Sequence, residues 1–249
     1  MVALIIRHFI KDKDLLPMLV GASIFLITPY VLEWSPLFRI DMLGLFLSLA
    51  GLYLLVRNPQ KSLTIYLAAG LFILAAYTRQ SFGLAAPLAG IIYTYTKNKR
   101  GAINLLLTYA AGGLIIFGLI YWLSDGAFFF HIITANVNPF SWERVLNFAR
   151  DILRKMPFIL LLAGGYLIIG WRFTKTYTLL APYLIGSALA ALTIGKVGSN
   201  INYLVEISAA LGLLTGILFT RLTQTLPVEP EQKPDLEFRP DEIPEQEPL

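Results

Sequence analysis

Charged side chains punctuate this chain rather than pattern it, and that constrains its fold more than anything else. Apolar runs cover Leu15–Leu32, Met42–Val56, Ser62–Thr78, Ser81–Thr96, Gly101–Ser124, Met156–Trp171, Thr176–Gly195 and Tyr203–Thr220. Short polar loops separate most of them. Long apolar segments between charged loops are the mark of membrane spans. A span in hydrocarbon must pair every backbone N–H and C=O internally. Barrel strands do so by alternating apolar and polar residues over short segments. These runs are apolar on every side and longer, so they predict helices. Several fall short of the ~20 residues of a perpendicular span. Snorkelling Lys and Arg stems, or a locally thinned bilayer, accommodate that.

The expected fold is therefore all-α: a polytopic transmembrane bundle of about eight spans over residues 1–222, with a disordered acidic, Pro-rich tail over 223–249. Glycines inside the runs allow close helix contact, and Gly212-x-x-x-Gly216 has the spacing of a helix-packing motif.

Charge supports the count. The chain is 56% hydrophobic and only 14% charged, with a mean hydropathy of +0.66. Its net charge of +4 conceals a split, with 18 Lys+Arg against 8 Asp+Glu in residues 1–226 and 2 against 8 in 227–249. The cations lie at run ends rather than on one face, which argues against nucleic acid as a partner. With a cytoplasmic N-terminus, eight spans return the C-terminus to the cytoplasm. The inner loops then carry Arg7, Lys11, Lys13, Arg57, Lys61, Lys97, Lys99, Arg100, Arg172, Lys175 and Arg221. The short outer loops carry only Arg39, Arg79 and Lys196. Every short loop obeys the positive-inside rule. The expected location is the cell membrane, multi-pass, with both termini cytoplasmic.

The long outer loop, 125–155, has its own order. Trp142, Val145, Leu146, Ala149, Ile152, Leu153 and Met156 recur at helical spacing. Glu143, Arg144, Asn147, Arg150, Asp151 and Arg154 fill the opposite face. Such a helix lies flat on a membrane surface. Ahead of it, Phe128–Phe130 reads as an interfacial segment, and Asn138-Pro139 as a turn.

The polar residues on the outer side are the candidate site. Asp41 opens the second run, where a carboxylate is favoured by the helix dipole alone. Arg39 and Arg79 sit where the positive-inside rule disfavours cations. Either Arg39 pairs with Glu33 or Asp41 and Arg79 anchors at lipid headgroups, or both hold phosphate oxygens, which suit the guanidinium fork. Lys196, Asn200 and Asn202 fall in a tight polar loop with glycine and serine. Glu206 follows Asn202 by one helical turn, and an ionisable residue inside a span is a functional candidate by default. Gln80 adjoins Arg79. His131 lies in an aromatic interfacial segment and carries little weight. With no cysteine and only two histidines, a zinc site lacks ligands.

Three segments together resemble a family. Trp34–Leu55 is similar to the R-x-D-x-L-x-x-x-x-S-L span of bacterial multi-pass glycosyltransferases of the GT-C superfamily, in the family 39-like, lipopolysaccharide-core branch. Thr78–Ser81 (TRQS) resembles that branch's K/R-Q step between two spans. Gly198–Glu206 (GSNINYLVE) resembles its G-S-x-x-N-Y-x-x-E. The resemblance implies an enzyme that moves a sugar from a polyprenyl-phosphate donor to a glycan or lipid acceptor on the outer side, among membrane lipid. Arg39, Arg79 and Lys196 would then hold the departing phosphate, and Gln80, Asn200, Asn202 and Glu206 would bind substrate. The catalytic carboxylate would be Asp41 or Glu33. No cofactor is specified, and a divalent metal stays open. The family's own acidic residue lies in a first outer loop with no counterpart here. The chain is therefore expected to be a C-terminal part of such an enzyme, inactive alone, unless Glu33 or Asp41 has taken over. The competing readings are a transporter or flippase-like protein, which should place charges near the midplane on broken helices, and a non-catalytic scaffold that binds through its acidic tail.

Overall fold

The computed structural model describes residues 1–10, 15–37, 39–172 and 176–225. Of the expected tail, residues 223–225 are described and are not disordered but end the last helix, because the helix runs on past Arg221; residues 226–249 lie outside the described residues. Every long element among the described residues is an α-helix: α1 Val2–Phe9, α2 Leu16–Ile27, α3 Pro29–Trp34, α4 Ile40–Arg57, α5 Ser62–Thr78, α6 Ala85–Lys97, α7 Lys99–Leu123, α8 Ala127–Ile132, α9 Trp142–Lys155, α10 Pro157–Ile169, α11 Tyr177–Ala191 and α12 Val205–Thr225. Four helical segments are long and apolar enough to cross a membrane: Ile40–Arg57, Lys99–Leu123, Tyr177–Gly195 and Ile201–Arg221. Counting two bent pairs as one span each raises the number to six. The chain is thus all-α and compatible with a membrane.

The chain bends sharply at two places where a proline begins a new helix. α2 and α3 meet at 61°, so Leu15–Leu32 is not one straight span. Pro29 opens α3, and Thr28 before it leaves the helical region with ψ 128. The proline ring disfavours helical backbone in the residue ahead of it. The Thr28 hydroxyl donates to the Ile24 carbonyl at 2.7 Å, pairing one carbonyl near the break. α9 and α10 meet at 103°, with Pro157 as the first residue of α10 and Met156 non-helical before it.

Packing depends on close backbone approach. α2 and α12 cross where Gly21 faces Gly212 and Gly216. A methyl on Gly212 would lie 2.8 Å from the Gly21 carbonyl oxygen, and one on Gly216 would lie 2.9 Å from that of Pro17. The small-residue motif is therefore an interface. Ile5 and Ile6 of α1 are fully buried, and Ile6 reaches the same crossing. α6 and α11 approach likewise, a methyl on Gly186 lying 2.8 Å from the Ala85 Cα. By contrast, α7 is buried only near its start, at Gly101, Ala102 and Leu105.

α9 is capped by Ser141, whose hydroxyl accepts the Arg144 N–H at 3.3 Å. Its apolar face is shared. Val145 is buried and Ile152 packs on the core, whereas Trp142, Leu146 and Leu153 are exposed. The outward half is the part free to enter a lipid surface.

Candidate functional site

Four helix ends meet at one polar cluster. Trp34 closes α3, Asp41 lies in the first turn of α4, Arg79 follows the last residue of α5, and Asn202 and Tyr203 sit in the turn Ile201–Leu204 leading into α12. Their side chains converge on the Asp41 carboxylate, which is only 2% exposed. Arg79 Nη1 forms an ion pair with Oδ1. Asn202 Nδ2 donates to the same oxygen at 3.1 Å, and Trp34 Nε1 donates to Oδ2 at 2.7 Å. Asp41 is therefore more than a helix-dipole residue. It is the hub on which three other elements are oriented.

A cavity of about 440 Å³ opens above this hub. Arg39, Asp41, Arg79, Asn200 and Asn202 line it, together with Trp34, the Gly198–Ser199 backbone and Tyr203. The Arg79 guanidinium lies 4.2 Å from the Tyr203 ring centroid, and that of Arg39 lies 5.1 Å from the Trp34 ring. Both cations are thus held over aromatic faces, at the distance where ring quadrupoles attract them. Burial lowers the Arg79 guanidinium from its ordinary value; Tyr203 opposes that shift and the Arg39 charge adds to it. Asp41 neutralises Arg79. Arg39 has no carboxylate partner among the described residues. The cavity therefore carries one more cation than anion, with the amides of Asn200 and Asn202 beside them. That set suits an anionic, hydroxyl-bearing ligand.

The loop under the cavity is tied down from outside. Gly198 has φ +87, a left-handed conformation that favours glycine. The Ser199 hydroxyl donates to the Lys196 carbonyl at 2.6 Å and also to that of Ile194. Arg144 of α9 donates from Nη2 to the Ser199 carbonyl at 2.9 Å. Phe140 and Lys196 form an antiparallel bridge, with Val197 N–H donating to the Pro139 carbonyl at 2.9 Å. Farther along α9, Asp151 accepts the Tyr30 hydroxyl of α3 at 2.9 Å. The amphipathic helix α9 thus grips both the loop wall and the α3 wall.

Not every candidate joins the cavity. Glu33 is exposed on α3 and Lys196 engages Phe140 through its backbone; neither lines it. Gln80 faces a separate aromatic hollow and donates to the Ile132 carbonyl at 3.2 Å. Glu206 lies deeper, where it accepts the Ser48 hydroxyl at 3.4 Å and pairs with neither Lys196 nor Arg79. Trp34, Tyr203 and Arg144 carry site geometry that the charge pattern did not reveal. Indole and phenol rings look like interfacial residues until their partners are known.

A divalent metal does not fit. The cavity offers one carboxylate, and both of its oxygens are engaged by protein donors. Among the described residues no group of three or more His, Asp or Glu is arranged to hold a metal ion.

Fold and site together define an all-α, membrane-compatible helical protein with a cationic polar cavity at one end of its bundle. No family model, no curated protein and no solved structure matches the chain.

Proposed function

We propose that the cavity grips the phosphate of a membrane-embedded lipid carrier, and that the chain belongs to the machinery of GT-C-like sugar transfer from a polyprenyl-phosphate donor to a glycan or lipid acceptor. The observation that carries this reading is the pair of guanidiniums, Arg39 and Arg79, facing one cavity beside Asn200 and Asn202. The bundle has eight crossings on this reading, and the cavity opens on the extracytoplasmic side. The cation distribution supports both.

In the transfer, the acceptor oxygen bonds to the anomeric carbon as the carbon–phosphate oxygen bond breaks. The bonding electrons leave with the phosphate. Arg39 and Arg79 stabilise that departing charge. A phosphate that draws Arg79 towards itself loosens the ion pair with Asp41. The freed carboxylate then takes the acceptor proton. Before that step Asp41 positions Arg79. Glu33, outside the cavity, has no part in it.

The test is binding of a polyprenyl phosphate to the protein in nanodiscs. Arg39→Ala removes a charge-assisted contact of about 1.5–3 kcal/mol, a loss of roughly tenfold or more. Unchanged binding removes the phosphate role. In a system competent for transfer, Arg39→Ala and Arg79→Ala are expected to abolish sugar transfer while the protein still inserts into membranes. A second reading, a transporter or flippase-like protein, draws support from Glu206 inside the bundle and from the proline bend between α2 and α3. Net movement of the lipid phosphate between leaflets without sugar transfer is its distinguishing result.

A further inference from the structure

A second polar cluster lies behind the cavity, and the phosphate reading does not use it. Glu206 is 4% exposed, and its Oε1 accepts one hydrogen bond, from Ser48 of α4. Its Oε2 is buried with no hydrogen-bond partner among the described residues, and neither has the hydroxyl of Tyr183 on α11. Tyr183 is fully buried on α11, which packs against α12. α4, α11 and α12 thus each bury a polar side chain in the bundle interior.

Among the described residues no cation pairs with Glu206. α4 presents Ser48 to it, and Met1, which carries the N-terminal ammonium, shares a hollow with Met42, Leu45 and Leu49 of that helix. α2 contains no ionisable residue. α3 has its tyrosine committed to Asp151 and its Glu33 exposed. On α1, His8 lies towards Arg57, at the other end of α4. Above Glu206, Arg79 is paired with Asp41. A bare carboxylate with one long, neutral hydrogen bond is costly in such surroundings. A bound cation removes that cost.

The cluster begins just past the cavity wall. Asn202 sits in the turn Ile201–Leu204 that leads into α12, and Glu206 in the first turn of that helix. Asn202 Nδ2 bonds Asp41 at the cavity, while its Oδ1, like Glu206 Oε2 and the Tyr183 hydroxyl, is buried with no hydrogen-bond partner among the described residues.

We propose that Glu206 is the centre of a proton-binding site, a single exchangeable proton held on its buried carboxyl beside the Ser48 hydroxyl. The site is independent of sugar transfer. No covalent bond to carbon changes; one O–H bond at Glu206 forms and breaks.

Infrared difference spectroscopy of the protein in nanodiscs tests it. A carboxylic-acid C=O band should be present, shift in D2O, and vanish in Glu206→Gln. It should move without vanishing in Ser48→Ala. Glu206→Gln keeps the shape of the side chain, and Ser48→Ala keeps the carboxyl, so the reading does not depend on one variant folding. A band that survives Glu206→Gln, or that ignores Ser48→Ala, overturns the proposal. Disappearance of the band in sodium chloride, with its return in choline chloride, also overturns it, because the occupant is then a metal cation.

Discussion

At the scale of single residues, Asp41 and Arg79 dominate. Each is costly to bury alone, and each compensates the other. Arg79→Ala leaves a carboxylate unpaired at 2% exposure. Breaking a buried pair by removing one partner costs about 3–5 kcal/mol. Arg79→Ala should therefore lower the thermal midpoint in detergent sharply, and Asp41→Asn added to it should restore most of the loss. A double variant no better than Arg79→Ala would contradict the pair. Arg39→Ala should barely change the midpoint, because Arg39 is exposed and has no carboxylate partner among the described residues. The residue types of this site were legible in the sequence, since isolated cations between apolar runs stand out against the loops where cations cluster. Their division of labour was not. Nothing local tells Arg79 that Asp41, far away in sequence, neutralises it, or tells Glu206 that its neighbour is Ser48.

Among the elements, the glycine crossing of α2 and α12 makes the sharpest prediction. Gly212→Ala puts a methyl 2.8 Å from a backbone oxygen, where no side chain can yield. Overpacking of this kind costs about 1–3 kcal/mol. Gly113→Ala on α7 meets nothing within 4 Å and should be neutral or slightly stabilising, since alanine is the better helix former. Equal melting curves for the two variants would contradict the crossing. α9 makes a second prediction. Arg144→Ala frees the loop wall from that helix, so it should weaken lipid-phosphate binding more than it lowers stability; loss of stability without loss of binding would oppose this. The long helices followed from the length and uniform apolarity of their runs, and the amphipathic α9 from hydrophobic periodicity. The bend at Pro29 followed from proline chemistry but was masked by the unbroken apolar run around it. The grip of α9 on the loop was out of reach, because it is made by Arg144, a polar-face residue, and by backbone groups that carry no sequence signal.

For the whole molecule, the arrangement is two-ended. Arg39, Arg79 and the loop 198–200 gather at the cavity, and Pro59, Gln60, Lys97 and Asn98 gather at the other end, where Asn98 donates to the Pro59 carbonyl and Gln60 to that of Lys97. Alternating apolar runs and loop charges anticipated that separation. The absence of cysteine makes it directly measurable. Val137→Cys should react with a membrane-impermeant maleimide in intact cells, and Lys61→Cys only after permeabilisation. Reversed labelling would place the cavity in the cytoplasm, and equal labelling would refute a membrane-spanning bundle. The most direct measurement of the central claim is the affinity of nanodisc-embedded protein for a polyprenyl phosphate, compared between wild type and Arg39→Ala. The account predicts saturable binding that weakens roughly tenfold or more in the variant; equal affinity in both, or no binding to either, would contradict it.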